Sequence, residues 1–460
     1  MFDKSKIKKI HFIGIGGIGM SGMAELLTRS GYSITGSDLK ENDRTNFLSS
    51  IGLDIFIGHD PGNITNSDLI VYSSAVDFEN IEIQEAQKKG LPIIKRAEML
   101  AELIRLKPIS IGVSGTHGKT TTCSLIGSIL FYAEKDPTLA VGGIVKSFNT
   151  NAISGKGDII LVEADEYDRS FLSLSPTICV VNNIELEHLD CYSDIDDLIN
   201  SFKKFVNGIP FYGFAMVNID DNNIQSIITK IKRPLISYGI DHKADYHAKN
   251  INFNKNNTSF DLYVRGKMID TIYINIPGKH NIYNTLCAIG LCQELDIDIE
   301  IIKNALINFK GVKRRFDIRY KDDQYIYIDD YAHHPTEVSA TINSVVQGWE
   351  SKKIISIFQP HLYSRTKIFC KDFAKALFQS DVVILMNIYG AREEAIKGVS
   401  SQLIIDELKK MGHKNVVISE DDNLIDKLKD KIDSDSIVLT MGAGNIFMHS
   451  HKIIEFLSNE

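Results

Sequence analysis

A chain of 460 residues with 43% apolar and 24% charged side chains has a globular composition and is too long for one ordinary core, so two to four domains are expected. Its net charge of −8 argues against nucleic acid or an anionic membrane as its main partner, and no apolar run reaches the roughly eighteen residues that span a bilayer. The six cysteines include no C-x-x-C pair, which fits reduced thiols and a cytoplasmic location rather than a disulfide framework. The basic "KSKIKK" before "IHFIGIGGIGM" imitates a signal peptide. His11 and the glycines of that apolar stretch suit a strand and loop better.

In chain order, short β-branched runs each end in a loop bearing Gly, His, Glu or Asn, and a helical pattern follows. They are "KKIHFIGIGG", "PISIGVSGTHGKTTT", "DIILVEADE", "TICVVNNIELEH", "KIISIFQPH", "DVVILMNIYGARE" and "DSIVLTMGAGN". Strands alternating with helices predict an α/β fold with parallel sheets. Ligands of such sheets bind beyond the carboxyl ends of the strands, where these polar residues fall. A strand restarts at "RLKPIS", and "NFKGVKRRFDIRYKDD" is a charged join. Three domains are therefore expected: a Rossmann-like domain over 1–106, a central P-loop ATPase-like parallel sheet over 107–312, and a Rossmann-like domain over 313–460.

Two loops carry chemistry. In the first, an apolar strand runs into Gly14-x-Gly16-x-x-Gly19, a helical pattern follows, and Asp38 lies about twenty residues on, as in a dinucleotide-binding fingerprint. Alone it reads as an NAD-dependent oxidoreductase. In the second, Gly115-Thr116-His117-Gly118-Lys119-Thr120 between strand and helix is a phosphate-cradling P-loop, with Lys119 reaching the outer phosphates and the Thr120 hydroxyl available to Mg²⁺. It departs from G-x-x-x-x-G-K-[ST], because Val113 stands where the outer glycine belongs. A strand-tip acid, Glu163, is the expected metal ligand, while Asp165 and Asp168 read as solvated. His188 in "NNIELEHLD" admits two readings, a second metal ligand or a structural histidine. No H-E-x-x-H or cysteine pairing suggests zinc. A dehydrogenase has no use for an ATP loop, and an NTPase has none for a dinucleotide loop unless its substrate also carries a diphosphate. A P-loop regulator that binds ATP as a switch is the rival from another class.

At these residues the sequence resembles the Mur ligases. The stretches "HFIGIGGIGMSG", "GTHGKTTT", "EADEYDRSF", "NNIELEHLD", "PGKHNIYN", "GVKRRF", "DDYAHHPTEV", "FQPHLYSRT" and "GAGNI" fall in that family's order along the whole chain. The resemblance implies a ligase that uses ATP and Mg²⁺ to join L-alanine to the lactyl carboxylate of UDP-N-acetylmuramate through an acyl phosphate. A relative that attaches a recycled tripeptide to the same sugar nucleotide is the alternative, and the intact "GIGGIGMSG" favours alanine. It implies that Gly14, Gly16, Gly17, Ile18 and Gly19 hold the UDP-sugar diphosphate, with Asp38 and His59 on its uridine part. For His59 an ordinary loop histidine remains a second reading. Gly115 to Thr121 would hold ATP, that is Gly115, Thr116, His117, Gly118, Lys119, Thr120 and Thr121. Asn281 and Asn284 would lie near adenine, Arg315 on phosphate and Asp330 on ribose. Thr120, Glu163 and His188 would hold metal. Tyr331, His333, His361 and Arg365 would close over the amino acid, and Lys119, His188, Arg315, His333 and Arg365 would be catalytic. Lys313 and Arg314 are expected in solvent, and Gly442, Gly444 and Asn445 in a structural turn. Leu362 replaces an arginine of some members. A monomer or homodimer is expected.

Overall fold

The computed structural model describes residues 7–73, 75–148, 150–187, 191–349, 351–391 and 393–459. They form three sheets. The first holds β1 (Lys9–Ile13), β2 (Ser33–Asp38), β3 (Asp54–Ile57), β4 (Leu69–Tyr72) and β5 (Ile93–Lys95), in the order β3-β2-β1-β4-β5 and parallel throughout.

The second sheet contains β6 (Ile109–Ser114), β7 (Thr138–Val145), β8 (Thr150–Ile153), β9 (Ile159–Glu163), β10 (Ile178–Val181), β11 (Phe214–Asn218), β12 (Leu235–Gly239), β13 (Tyr246–Asn254), β14 (Asn257–Val264) and β15 (Lys267–Ile274). Its order is β15-β14-β13-β12-β11-β10-β6-β9-β7-β8, which sets β6 between β10 and β9. The third has β16 (Asp317–Lys321), β17 (Tyr325–Asp330), β18 (Lys353–Phe358), β19 (Val382–Met386), β20 (Val416–Ser419) and β21 (Ser436–Met441), in the order β16-β17-β21-β18-β19-β20.

The seven strands read from the sequence are present as β1, β6, β9, β10, β18, β19 and β21. Their continuous apolar runs have a simple cause: a parallel sheet covered by helices buries both faces. Leu69–Tyr72, Ile178–Val181 and Val382–Met386 are accordingly buried along their whole length. Helix Ile195–Asn207 shows the covering element. Asp194 caps it by accepting from the Asp197 amide, and Leu198, Phe202, Phe205 and Val206 form the buried stripe. The Phe171 ring packs there, with centroids 5.1 Å from Phe202 and 5.0 Å from Phe205.

The alternating pattern does not extend to β7–β8, an antiparallel pair, or to β13–β15. In the latter, turns at Lys255 (φ 55°) and at Arg265 and Gly266 (φ 47° and 86°) reverse the chain too quickly for a crossover helix.

The chain forms two compact units, Met1–Lys249 with Leu262–Asp270 and Tyr283–Phe309, and Asn250–Asp261 with Thr271–Ile282 and Lys310–Glu460. Within the first unit, one side chain ties the helix after β1 to the β7–β8 hairpin. The buried Asn151 amide donates to the Ile18 carbonyl at 3.1 Å and to the Val141 carbonyl at 3.4 Å.

Candidate functional site

The first glycine loop leaves the carboxyl end of β1. The Gly14 and Ile15 amides donate to the Ser37 carbonyl at 2.8 and 3.0 Å, holding the loop against the end of β2. Helix Ile18–Arg29 then begins at Gly17 with no side-chain cap, so its first amides remain available to an anion. The Gly16 amide donates to Asp38 Oδ2 at 2.8 Å, and a Cβ there would lie 2.8 Å from that oxygen and 2.5 Å from Asn42 Nδ2. Close approach therefore requires glycine. The Arg96 guanidinium lies over the start of the helix, 2.9 Å from where a Gly19 Cβ would be.

The second loop follows β6 in the same way. Helix Lys119–Tyr132 starts at Gly118, which is left-handed at φ 80° and also has no side-chain cap. Asparagines from the next strand brace it: the Asn183 Oδ1 accepts from the His117 amide at 2.8 Å, and Asn182 Nδ2 donates to Thr122 Oγ1 at 3.0 Å. Thr122 in turn donates to Asn284 Oδ1 at 3.1 Å. Lys119 Nζ lies 2.7 Å from the Gly115 carbonyl and 2.7 Å from Glu166 Oε2. Burial would lower the lysine pKa, and the carboxylates of Glu166 and Asp165 reverse this and raise it, so the ammonium is fixed in charge.

Glu163 ends β9, in register with Val113 of β6, and accepts from the Gly142 amide at 2.7 Å. Its charge acts on Cys123, one turn along the helix from Thr120. Thr120 hydroxyl and Glu163 carboxylate make an all-oxygen donor pair, which fits a hard divalent cation rather than a soft one. His188 lies outside the described residues.

In the second unit, Asp330 ends β17 and is buried, accepting from the Phe316 and Ala332 amides at 2.7 and 2.8 Å. Burial pushes its carboxyl up to about 6, although Arg315 and the two amides act to lower it. Between the unfolded value near 4 and that value, the folded chain holds a proton the unfolded chain has released, so stability falls as pH rises through this window. Asp330→Asn should thus gain against wild type on going from about pH 4.5 to about pH 7.5, by roughly 2 kcal/mol. Melting temperatures of both proteins at both pH values check this, since any pH-independent packing change cancels.

Beside Asp330, the Arg314 and Arg315 guanidinium carbons each lie 5.0 Å from the Tyr331 ring centroid. His333 Nδ1 is 3.0 Å from the Tyr331 carbonyl, and the His333 and His361 rings are 5.9 Å apart. The Arg365 guanidinium is buried and reaches His361 Nδ1 at 3.2 Å. Asn281 donates to the Pro277 carbonyl at 2.7 Å. Arg314 corrects an expectation. It is not in solvent but packs over Phe447 at 4.6 Å, lies 3.4 Å from Asp329 and donates to the Gly442 carbonyl at 2.5 Å. A flat cation between rings and carbonyls loses little by burial, which its sequence position did not reveal. Gly442, at φ 151°, is the turn expected. Leu362 is left-handed at φ 70° and precedes helix Tyr363–Leu377.

Sequence reasoning missed Glu166, Asn182 and Arg96, and also Glu185, whose Oε2 lies 3.0 Å from His117 Nε2 in the second loop. Of the acids in "EADE", only Glu166 is fully buried, and nothing in the local pattern separates it from Asp165.

Three family descriptions match in chain order: the Mur ligase family catalytic domain over residues 9–108, the Mur ligase middle domain over 113–292, and the Mur ligase glutamate ligase domain over 314–444. A UDP-N-acetylmuramate–L-alanine ligase of Salinibacter ruber is 42% identical over 457 residues, covering 99% of this chain and 96% of its own. One from a Geobacter species is 44% identical over 443 residues, 96% of each. The crystal structure of UDP-N-acetylmuramate-alanine ligase from Thermotoga maritima superposes with a TM-score of 0.83 at 29% identity, over 98% of this chain and 100% of that one. The fold is shared with a murein peptide ligase of Psychrobacter arcticus, at a TM-score of 0.71 and 22% identity over 98% and 99% of the two chains. With matches to all three domains and relatives of this identity along nearly its full length, the chain belongs to the Mur ligase family.

Proposed function

We propose that this protein is an ATP-dependent ligase joining L-alanine to the lactyl carboxylate of UDP-N-acetylmuramate, with release of ADP and phosphate, in cytoplasmic synthesis of peptidoglycan precursors. The observation that carries this reading is a pair of uncapped glycine cradles at the ends of β1 and β6, the second of which has a lysine paired with the buried Glu166. One serves a diphosphate that is only held, the other a triphosphate that is broken. The Salinibacter and Geobacter relatives, matched over nearly their full length, are named UDP-N-acetylmuramate–L-alanine ligases, which leaves the NAD reading of the first loop without support. Among the described residues no helix is long and apolar enough to cross a membrane.

A carboxylate is a poor acyl donor because its leaving group would be oxide. In the proposed reaction a lactyl oxygen attacks the γ-phosphorus of ATP, the bond to ADP breaks, and an acyl phosphate forms. The alanine nitrogen then attacks the acyl carbon, and phosphate departs with the former carboxylate oxygen. Lys119 and Arg315 hold fixed positive charge for the transferring phosphoryl group. Mg²⁺, held by Thr120 and Glu163 and by His188 if it ligates, would supply further charge neutralisation there.

Asn281 and Asn284 offer amides suited to adenine, and Asp330 a carboxylate suited to ribose hydroxyls. Gly14 to Gly19 offer amides to the UDP-sugar diphosphate, with Arg96 as added positive charge and Asp38 and His59 on the uridine side. Arg365, Tyr331 and His361 are assigned to alanine. His333 donates Nδ1–H to the Tyr331 carbonyl, which leaves Nε2 as the nitrogen that takes the amine's proton. The domain limits 1–106, 107–312 and 313–460 belong to this proposal.

With oxygen-18 in the lactyl carboxylate, labelled phosphate should be released during turnover, and only when ATP, sugar nucleotide and amino acid are all present. Unlabelled phosphate overturns the acyl phosphate step. Release that needs no amino acid overturns the ligase in favour of an ATP switch. A panel of amino acids with the murein tripeptide distinguishes alanine from the recycled substrate.

A further inference from the structure

The second strand of the first sheet and its neighbour end beside a buried carboxylate that the reaction does not use. Glu82 is buried, in helix Ile81–Lys88. Its Oε1 lies 2.6 Å from Asn63 Nδ2 and 3.3 Å from the Asp60 amide, and its Oε2 lies 2.6 Å from Ser37 Oγ and 3.1 Å from His59 Nδ1. His11 is also near, but its Nε2 is 3.7 Å from Oε2, beyond hydrogen-bond reach, and its Nδ1 is 2.8 Å from Thr35 Oγ1. Burial acts to raise the Glu82 pKa, and the nearby His11 together with the hydrogen bonds from Ser37 and Asn63 more than reverses that, holding it at about 2.

An ionised carboxylate only accepts hydrogen bonds, so each neighbour in reach must donate. Ser37 spends its hydroxyl hydrogen on Oε2, and the remaining contact from Ser37 Oγ to His59 Nδ1, at 3.1 Å, then needs a hydrogen from the ring. Both acceptors demand Nδ1–H. The opposite tautomer would aim a ring lone pair at two oxygens and leave a buried anion short of a donor.

A neutral imidazole protonated at Nδ1 offers Nε2 as an acceptor. His59 follows β3, the edge strand, two residues after Ile57, which is 55% exposed. We infer that Glu82 fixes His59 as the Nδ1–H tautomer, so that Nε2 accepts from the N3–H of uracil and selects uridine over cytidine nucleotides. This rests on the first loop being a UDP-sugar site. Cytosine presents a lone pair at N3, which would face the Nε2 lone pair. Glu82 is a positioning residue, and His59 is the specificity determinant.

The test uses the whole protein labelled with nitrogen-15 histidine, the His59 signals being those lost in His59→Ala. Two-bond proton–nitrogen correlations should show a protonated Nδ1 and a pyridine-like Nε2. UDP should bind more tightly than CDP by on the order of tenfold or more, with the ratio near one in His59→Ala. Glu82→Ala should yield a mixture of tautomers and a smaller ratio while ATP binding persists. If that variant does not fold, the wild-type spectrum and the His59→Ala ratio decide. An Nε2–H tautomer in the wild type, or equal binding of UDP and CDP, overturns the inference alone. Binding of neither nucleotide overturns the UDP-sugar reading itself.

Discussion

Lys119→Ala should lower the rate of ligation by roughly a thousandfold or more while leaving the affinity for the sugar nucleotide within a few-fold. The lysine is the one cation aimed from the second cradle's own helix, and its removal takes a fixed charge from a group whose equatorial oxygens gain charge as it transfers. The contacts Lys119 makes with Gly115, Thr116, Asp165 and Glu166 lie in the second cradle and the loop after β9. A complication can be designed around. Without Lys119, the buried Glu166 loses its ion pair at 2.7 Å, and breaking a buried pair costs about 3–5 kcal/mol. Lys119→Ala with Glu166→Gln removes that anion. The double variant should recover melting temperature and not ligation. Restored ligation would mean that Lys119 acts only by supporting the fold, and loss of sugar-nucleotide binding by a folded variant would mean that the cradles do not divide the substrates.

Gly16→Val is the converse experiment. Its Cβ would meet Asp38 Oδ2 at 2.8 Å and Asn42 Nδ2 at 2.5 Å, and neither can withdraw freely. Asp38 accepts from the loop amide itself, and Asn42 caps helix Asp43–Ser50 by accepting from Arg44 and Thr45. Displacing a charge-assisted hydrogen bond in the site should weaken UDP-sugar binding by about tenfold to a hundredfold. ATP binding should change little. Calorimetric titration of each nucleotide into this variant and into Lys119→Ala gives a two-by-two comparison. Equal weakening of both ligands by either substitution would sink the assignment of one diphosphate to each loop.

The parts of this molecule that were legible in the sequence are those governed by local rules. Apolar runs ending in glycine announced β1 and β6, because a parallel strand is buried on both faces and a helix must start close behind it. The β13–β15 hairpins were not foreseen, since Lys255 and Arg265 rarely adopt positive φ and the single Gly266 is a weaker signal than an Asn-Gly or Asp-Gly pair. The same divide runs through the site. Lys119 and Thr120 stand in a motif whose chemistry is explicit. Glu166 lies inside "EADEYDRSF" and Glu82 outside any such stretch, and the importance of both arises from burial against residues 47 and 45 positions away, Lys119 and Ser37. Arg314 and Arg315 are adjacent and chemically identical, and only the fold turns one of them onto Phe447 and the Gly442 carbonyl.

The Asn151 amide grips two main-chain carbonyls, one in the opening turn behind the first cradle and one adjoining the residue whose amide steadies Glu163. Because such a clasp ignores side chains at both ends, evolution is free to vary positions 18 and 141 without loosening it, whereas position 151 itself has no such latitude. Any energetic cross-talk carried across that clasp must also run equally in both directions: by whatever factor the sugar nucleotide alters affinity for ATP, ATP alters affinity for the sugar nucleotide.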